Sequence, residues 1–313
     1  MTLLVATAWD AEPWLARFRQ LMPERPVVVP GDLFDQRRIS YVATWGPKPG
    51  ALSGLPALEL IFSLGAGVDH LMGYPDLPPV PIVRVVSDDI TARMSEYVVL
   101  HCLLHQRDQR RYDSRQRARI WDEDRPPPPA REVRVGVMGM GVLGQDAGRK
   151  LSLMGFDVAG WSRTPKESAE VESFAGRDQL DAFLARTDIL VCLLPLTPET
   201  RSILDRQLFT RLARDGRLGG PVLINAGRGG LQVEADIIAC LDDGTLHGAT
   251  LDVFETEPLP EDSPLWLHPR ATVTPHISSV SDPDATARFI VEQIRRHESG
   301  EPVDGVVDLA RGY

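Results

Sequence analysis

The run Val133-Arg134-Val135-Gly136-Val137-Met138 leads directly into Gly139-Met140-Gly141-Val142-Leu143-Gly144. A short apolar stretch closed by glycines at G-x-G-x-x-G spacing predicts a strand, a tight turn and then a helix, here reaching about Met154. Glycine is a poor choice for a helix entrance unless backbone must approach something closely. In this context the glycines let main-chain N–H groups meet a pyrophosphate at the positive end of the helix. The turn therefore points to a dinucleotide rather than to a bare strand-to-helix corner.

The rest of the chain alternates in the same way. Before the turn, strands are expected at Leu3–Ala8, Tyr41–Thr44, Leu60–Leu64 and Ile82–Val86, with helices at Glu12–Met22 and Asp88–Arg110. After it come strands Phe156–Trp161, Ile189–Leu194, Val222–Asn225, Gly248–Val253 and Thr272–Pro275, and a final helix Asp284–Arg296. Strands alternating with helices imply parallel pairing through right-handed crossovers. The expected fold class is α/β, with a doubly wound dinucleotide domain of about six strands. A length of 313 residues suits two domains. Arg125 and the four prolines Pro126–Pro129 form a stiff connector that neither helix interior nor central strand would accept.

Net charge is -10, which argues against a nucleic-acid backbone as partner. The arginines from Arg107 to Arg119 are interleaved with Asp108, Asp113, Asp122 and Glu123, so they read as a mixed-sign helix face or an interface. Cys102, Cys192 and Cys240 are dispersed among apolar neighbours, as expected of reduced, buried thiols in a cytoplasmic protein. The amino terminus lacks a basic region ahead of its apolar residues, and no run is long enough to span a membrane. His101 and His105 share a helix face at i, i+4; with no third ligand evident, packing is the expectation and no metal site is assigned. Trp14 and Trp121 read as packing or interface residues.

The end of the second strand selects the dinucleotide. An NAD site usually places Asp or Glu there for the ribose 2′-hydroxyl. This chain has Trp161-Ser162-Arg163-Thr164-Pro165-Lys166. Arg163 offers a planar fork to a 2′-phosphate, Ser162 and Thr164 offer hydroxyls, and Lys166 adds charge. NADP(H) is expected as the preferred cofactor, with NAD(H) as the alternative.

Three further segments follow in order: Asn225-Ala226-Gly227-Arg228-Gly229-Gly230, Leu251-Asp252-Val253-Phe254-Glu255-Thr256-Glu257-Pro258-Leu259 and Thr274-Pro275-His276. They supply one arginine, one carboxylate and one histidine. With Ser63-Leu64-Gly65-Ala66-Gly67-Val68-Asp69, the glycine turn, Trp161–Thr164, Val171–Arg177, Leu194–Thr200 and Ala310-Arg311-Gly312-Tyr313, they make a chain that resembles the D-2-hydroxyacid dehydrogenase family over nearly its whole length. Within it, the resemblance is to the glyoxylate/hydroxypyruvate reductases of the bacterial A type.

The resemblance implies two Rossmann-like doubly wound parallel-sheet domains with an interdomain cleft. Residues 1–97 and 284–313 would form a flavodoxin-like substrate domain and 98–283 the dinucleotide-binding domain, which would also make a homodimer. It implies reduction of glyoxylate to glycolate and of hydroxypyruvate to D-glycerate. Arg228 would bind the substrate carboxylate. His276 would donate the proton, with Glu257 favouring its imidazolium form. Leu64, Gly65, Ala66 and Gly67 would form the substrate loop, and Trp45 either covers the substrate or is a loop tryptophan. Leu194, Pro195, Thr200, Ala226, Asp252 and His276 would join Gly139, Gly141, Val142, Leu143 and Gly144 in contacting the cofactor, Asp252 through the nicotinamide carboxamide. The same fold also serves as a non-catalytic, NAD(P)-sensing scaffold, so binding without turnover stays open as an alternative, as does another 2-oxo acid. One departure from the close relatives is Asp88-Asp89-Ile90-Thr91-Ala92-Arg93, which replaces a glycine-containing helix approach.

Overall fold

A computed structural model describes residues 1–123, 126–280 and 282–308; Arg125 of the proline connector and Ala310–Tyr313 lie outside the described residues. In chain order the elements are β1 (Thr2–Thr7), α1 (Glu12–Leu21), β2 (Val27–Val28), β3 (Ile39–Trp45), β4 (Leu60–Ser63), α2 (Asp69–Met72), β5 (Ile82–Val83) and α3 (Asp88–Gln106). They continue with α4 (Gln109–Ala118), β6 (Arg134–Met138), α5 (Val142–Leu153), β7 (Asp157–Ser162), β8 (Glu172–Ala175), α6 (Leu180–Ala185) and β9 (Ile189–Cys192). The remainder are α7 (Arg206–Thr210), β10 (Val222–Asn225), α8 (Glu234–Asp242), β11 (Gly248–Leu251), β12 (Ala271–Val273) and α9 (Pro283–Ser299).

The chain divides into two compact units, Met1–Ile90 with Ser281–Tyr313, and Thr91–Val280. The first holds a five-stranded parallel sheet of order β2-β1-β3-β4-β5. Leu3 and Val5 bury one face of β1 against α1 and α9, through Trp14, Phe18, Ile290 and Ile294. Leu4 and Ala6 bury the other face against Leu52, Leu71 and Tyr74. Strands covered on both faces need continuous apolar runs, which is why these runs are legible without alternation. Ser87 Oγ accepts Ile90 N at 3.2 Å and caps the start of α3 at the Asp88–Arg93 segment.

The second unit holds a seven-stranded parallel sheet of order β12-β11-β10-β9-β6-β7-β8. The order reverses between β9 and β6, whose carboxyl ends therefore border the place where such sheets bind ligands. The sheet has one strand more than the sequence suggested. The extra member, β8, is an edge strand that opens on exposed Glu172 and Ser173 and so lacks a buried-strand signature. The helix expected over Asp88–Arg110 ends at Gln106, because Asp108 adopts a left-handed φ of 54° before α4 begins. Beyond that break Arg111 and Arg115 both bond Asp122, the latter at 3.0 Å, and Arg110 Nε donates to Pro269 O at 3.0 Å. Trp14 is core, whereas Trp121 is 90% exposed.

Of the histidine pair of α3, His101 is buried and His105 half-buried. The His101 ring packs on Tyr97 at 4.2 Å between centroids, and His105 Nε2 lies 2.9 Å from Thr250 Oγ1. Among the described residues no group of three or more His, Cys, Asp or Glu is placed to hold a metal ion. Burial, with the charges of His101, His247 and Arg110, pushes His105 down to about 3. The unfolded chain takes up a proton there below about pH 6.5, and the folded one does so only near the lowered value. The unfolded state thus binds more protons across that window, so stability rises with pH and is lost as pH falls through it, by up to about 1.4 kcal/mol per unit. Thermal melts of His105→Gln between about pH 4 and 7 should decline less steeply than those of the wild type; parallel slopes would contradict this account of the acid limb.

Candidate active site

The glycine turn stands at the carboxyl end of β6, as its sequence requires. Gly139 has φ 107°, and a Cβ on it would lie 2.7 Å from Leu193 O. A Cβ on Gly144 would lie 2.0 Å from Gly139 O, so the third glycine lets α5 seat on the strand. Gly141 differs: a Cβ there would meet nothing within 4 Å. Its freedom is not needed for protein packing, and the space above it is open. Gly141 is the N-cap of α5 and no side chain caps that end. The first-turn amides, flanked by exposed Val142 and half-buried Leu143, are left for an anion. These observations fit a bound pyrophosphate.

At the end of β7, Ser162 is buried and its hydroxyl donates to Thr164 O at 2.7 Å, closing the turn. Arg163, Thr164 and Lys166 are exposed, and no carboxylate stands in the 162–166 turn. Glu199, in the loop after β9, is held below the ordinary carboxylate range by its own backbone amide and Thr197, with smaller contributions from Arg163 and Arg177. In that same loop Thr200 Oγ1 donates to Pro195 O at 2.7 Å and accepts Thr197 N at 2.8 Å. Leu194 and Ala226 are buried at the ends of their strands.

Arg228, Glu257 and His276 are held by loops after β10, β11 and β12. Asn225 and Gln232, both buried, shape the first loop: Asn225 Nδ2 donates to Arg228 O at 3.2 Å and to Gln232 Oε1 at 2.8 Å, and its Oδ1 accepts Gly227 N at 3.1 Å. Gln232 Nε2 then ties to Val253 O at 2.9 Å. Gly229 has no room for a side chain, since a Cβ would fall 1.8 Å from Phe254 O. That close approach packs the arginine loop against the glutamate loop. Gln232 carried no signal in the sequence, because nothing distinguishes a buried loop amide from a surface one before the loops are packed.

Glu257 Oε2 lies 2.8 Å from His276 Nδ1, and Oε1 accepts Phe254 N at 3.0 Å. Burial alone would raise the Glu257 carboxyl. The hydrogen bonds from His276 and Phe254 N, with the charges of His276 and Arg228, outweigh it and hold the group below its usual range. An ionised Glu257 accepts from Nδ1–H and leaves Nε2 as the ring atom available for proton transfer. Arg228 is half-buried, with Nη1 donating to Gly227 O at 2.7 Å. Asp252 is fully buried and its carboxylate accepts from Thr274 Oγ1, Ile277 N and Ser278 N.

The residues expected to form a substrate loop belong to the first unit. Leu64 is buried, and Ala66 and Gly67 are half-buried. Ser63 Oγ donates to Gly67 O at 2.7 Å and draws the turn tight. Trp45 ends β3, half-buried, with its ring 4.5 Å from that of His70. A Cβ on Gly65 would lie 2.5 Å from the Trp45 ring, so glycine is what lets the tryptophan lie over this turn.

Comparison with known proteins agrees with these features. Residues 99–278 match the family described as D-isomer specific 2-hydroxyacid dehydrogenase, NAD binding domain. Glyoxylate/hydroxypyruvate reductase A of Serratia proteamaculans is 41% identical over 315 residues, covering 97% of each chain. A probable 2-hydroxyacid dehydrogenase from Rhizobium etli, solved with NADP, HEPES and tartaric acid, is 48% identical with a TM-score of 0.95, covering 100% of this chain and 99% of its own. An NADPH-dependent glyoxylate/hydroxypyruvate reductase from Sinorhizobium meliloti, solved with NADP and sulfate, is 48% identical with a TM-score of 0.93 over the same shares. By sequence and by structure, the chain belongs to the D-isomer specific 2-hydroxyacid dehydrogenase family.

Proposed function

We propose that this protein is an NADP-dependent oxidoreductase that reduces small 2-oxo acids, glyoxylate and hydroxypyruvate in the first place. The observation that carries the reaction type is the 2.8 Å contact between His276 Nδ1 and Glu257, which turns Nε2 into the proton donor. Glu257 is already below its usual range, so it stays ionised and keeps accepting from Nδ1–H. Arg228 takes the substrate carboxylate, with the fork geometry that a two-oxygen anion matches. Trp45 and the Leu64–Gly67 turn are assigned to the substrate as well. NADPH, when bound, supplies the hydride. The open space over Gly141, the uncapped end of α5 and the exposed Arg163 support its pyrophosphate and 2′-phosphate. The relatives solved with NADP or NADPH support the same preference.

Loss of NADPH absorbance on adding glyoxylate or hydroxypyruvate tests this reading directly. Tight NADPH binding without turnover would favour a sensing scaffold instead. Arg163→Ala is expected to raise KM for NADPH by about 10–100-fold, the equivalent of one charge-assisted phosphate contact, while KM for NADH changes little. Equal changes for the two cofactors would remove Arg163 from the 2′-phosphate. A homodimer through the second unit belongs to the same reading, supported by the exposed Trp121 and Ile120 beyond α4. The three buried, unpaired cysteines suit a reducing, cytoplasmic setting.

A further inference from the structure

His276 has a left-handed φ of 54°, a conformation that a β-carbon disfavours by about 1–2 kcal/mol. Something must hold the turn there. His276 N donates to Asp252 O at 2.8 Å, while Ile277 N and Ser278 N donate to the two carboxylate oxygens of Asp252, each at 2.9 Å. One buried residue thus fixes three consecutive amides of the loop that carries the proton donor, the first through its carbonyl and the next two through its carboxylate. Thr274 Oγ1, two residues before the histidine, is 2.6 Å from Asp252 Oδ1. A hydroxyl has one proton, and a carboxylate engaged by two amides can only accept it. The 2.7 Å contact between Thr274 Oγ1 and Tyr97 Oη must then run from the phenol to the threonine. Burial, with the Asp252 charge adding to it, pushes the Tyr97 phenol well above its ordinary range, so the phenol remains a donor.

We propose that Tyr97 and Thr274 are positioning residues for the reduction. The directed chain Tyr97 O–H to Thr274 O–H to Asp252 orients the carboxylate that pins Ile277 and Ser278, the two residues after His276, and so aims Nε2. Tyr97 lies in α3, seven residues past the point where the chain leaves the first unit. Through it the helix that enters the second unit is tied to the loop of the proton donor. Neither residue carries a formal charge, and Tyr97 is separated from Thr274 by 177 positions. The inference rests on His276 as the proton donor, and its test must separate the two.

Thr274→Val keeps the shape and removes the hydroxyl; Thr274→Ser restores it; Tyr97→Phe removes only the outer link. We expect Thr274→Val to lower kcat by about 10–100-fold, the scale of a sub-ångström to ångström misplacement. KM for NADPH should stay within about twofold, and Thr274→Ser should recover most of the rate. Tyr97→Phe should lie between them. The second readout is the downfield Nδ1–H proton resonance of His276, identified by its absence in His276→Ala. It should shift or broaden in Thr274→Val and return in Thr274→Ser. An unchanged kcat and an unchanged resonance in Thr274→Val would overturn the proposal, as would a lost rate that serine fails to recover. If the wild type turned over no 2-oxo acid but the resonance still changed in Thr274→Val and returned in Thr274→Ser, the positioning role would stand and the reaction assigned to the site would fall.

Discussion

Replacing His276 with alanine is expected to lower kcat for 2-oxo acid reduction by about 10²–10⁴-fold, the range that a positioned general acid supplies. NADPH affinity should hardly move, because the cofactor contacts argued from the glycine turn and the end of β7 are left intact. Steady-state kinetics combined with NADPH titration by fluorescence would check both halves. The expectation follows from geometry more than from residue type. Glu257 engages Nδ1 at 2.8 Å and fixes which nitrogen faces outward. Glu257→Gln keeps a hydrogen-bond acceptor for Nδ1–H but removes the carboxylate charge beside the ring. It should therefore lose less rate than His276→Ala. Near-normal turnover in His276→Ala would remove the proton-donor role.

Arg228→Ala is expected to cost about 10²–10³-fold in kcat/KM for glyoxylate, mostly through KM. Truncating one member of a close charge pair costs about 2–5 kcal/mol, because the other charge is left unpaired. The control is an aldehyde without a carboxylate. The wild type should strongly prefer glyoxylate over it, and that preference should collapse in the variant. Arg228→Lys should recover only part, since an ammonium lacks the fork. A variant that retained the preference would show that the carboxylate is held elsewhere. The substitution should also be mild for the fold. The loop around Arg228 is shaped by Asn225, Gln232 and the close approach at Gly229.

Much of this could be read before any coordinates. The parallel strands are buried on both faces, so their residues form apolar runs that need no alternation to be recognised. The glycine turn is legible because the close contacts of Gly139 and Gly144 leave no other residue type for those places. What escaped notice was local and weakly patterned. β2 is two residues long, and β8 is an edge strand with exposed polar residues at its start. The break after Gln106 depends on a single left-handed residue, Asp108, inside a run of good helix formers.

The chemical inventory of this protein is set by its sequence alone: three glycines at one turn, a basic corner where an acid usually stands, and one arginine, one glutamate and one histidine in order. Those follow from residue type and local spacing, which a chain carries before it folds. Only the tertiary structure decides which groups meet. It brings Glu257 to the Nδ1 side of a histidine 19 residues away, closes Gly229 onto Phe254, turns the Ser162 hydroxyl back into its own loop, and sets Tyr97 against Thr274. The reason is physical. Hydrogen bonds of this kind depend on distances of a few tenths of an ångström and on burial, and both are fixed when strands from distant parts of the chain align in one sheet.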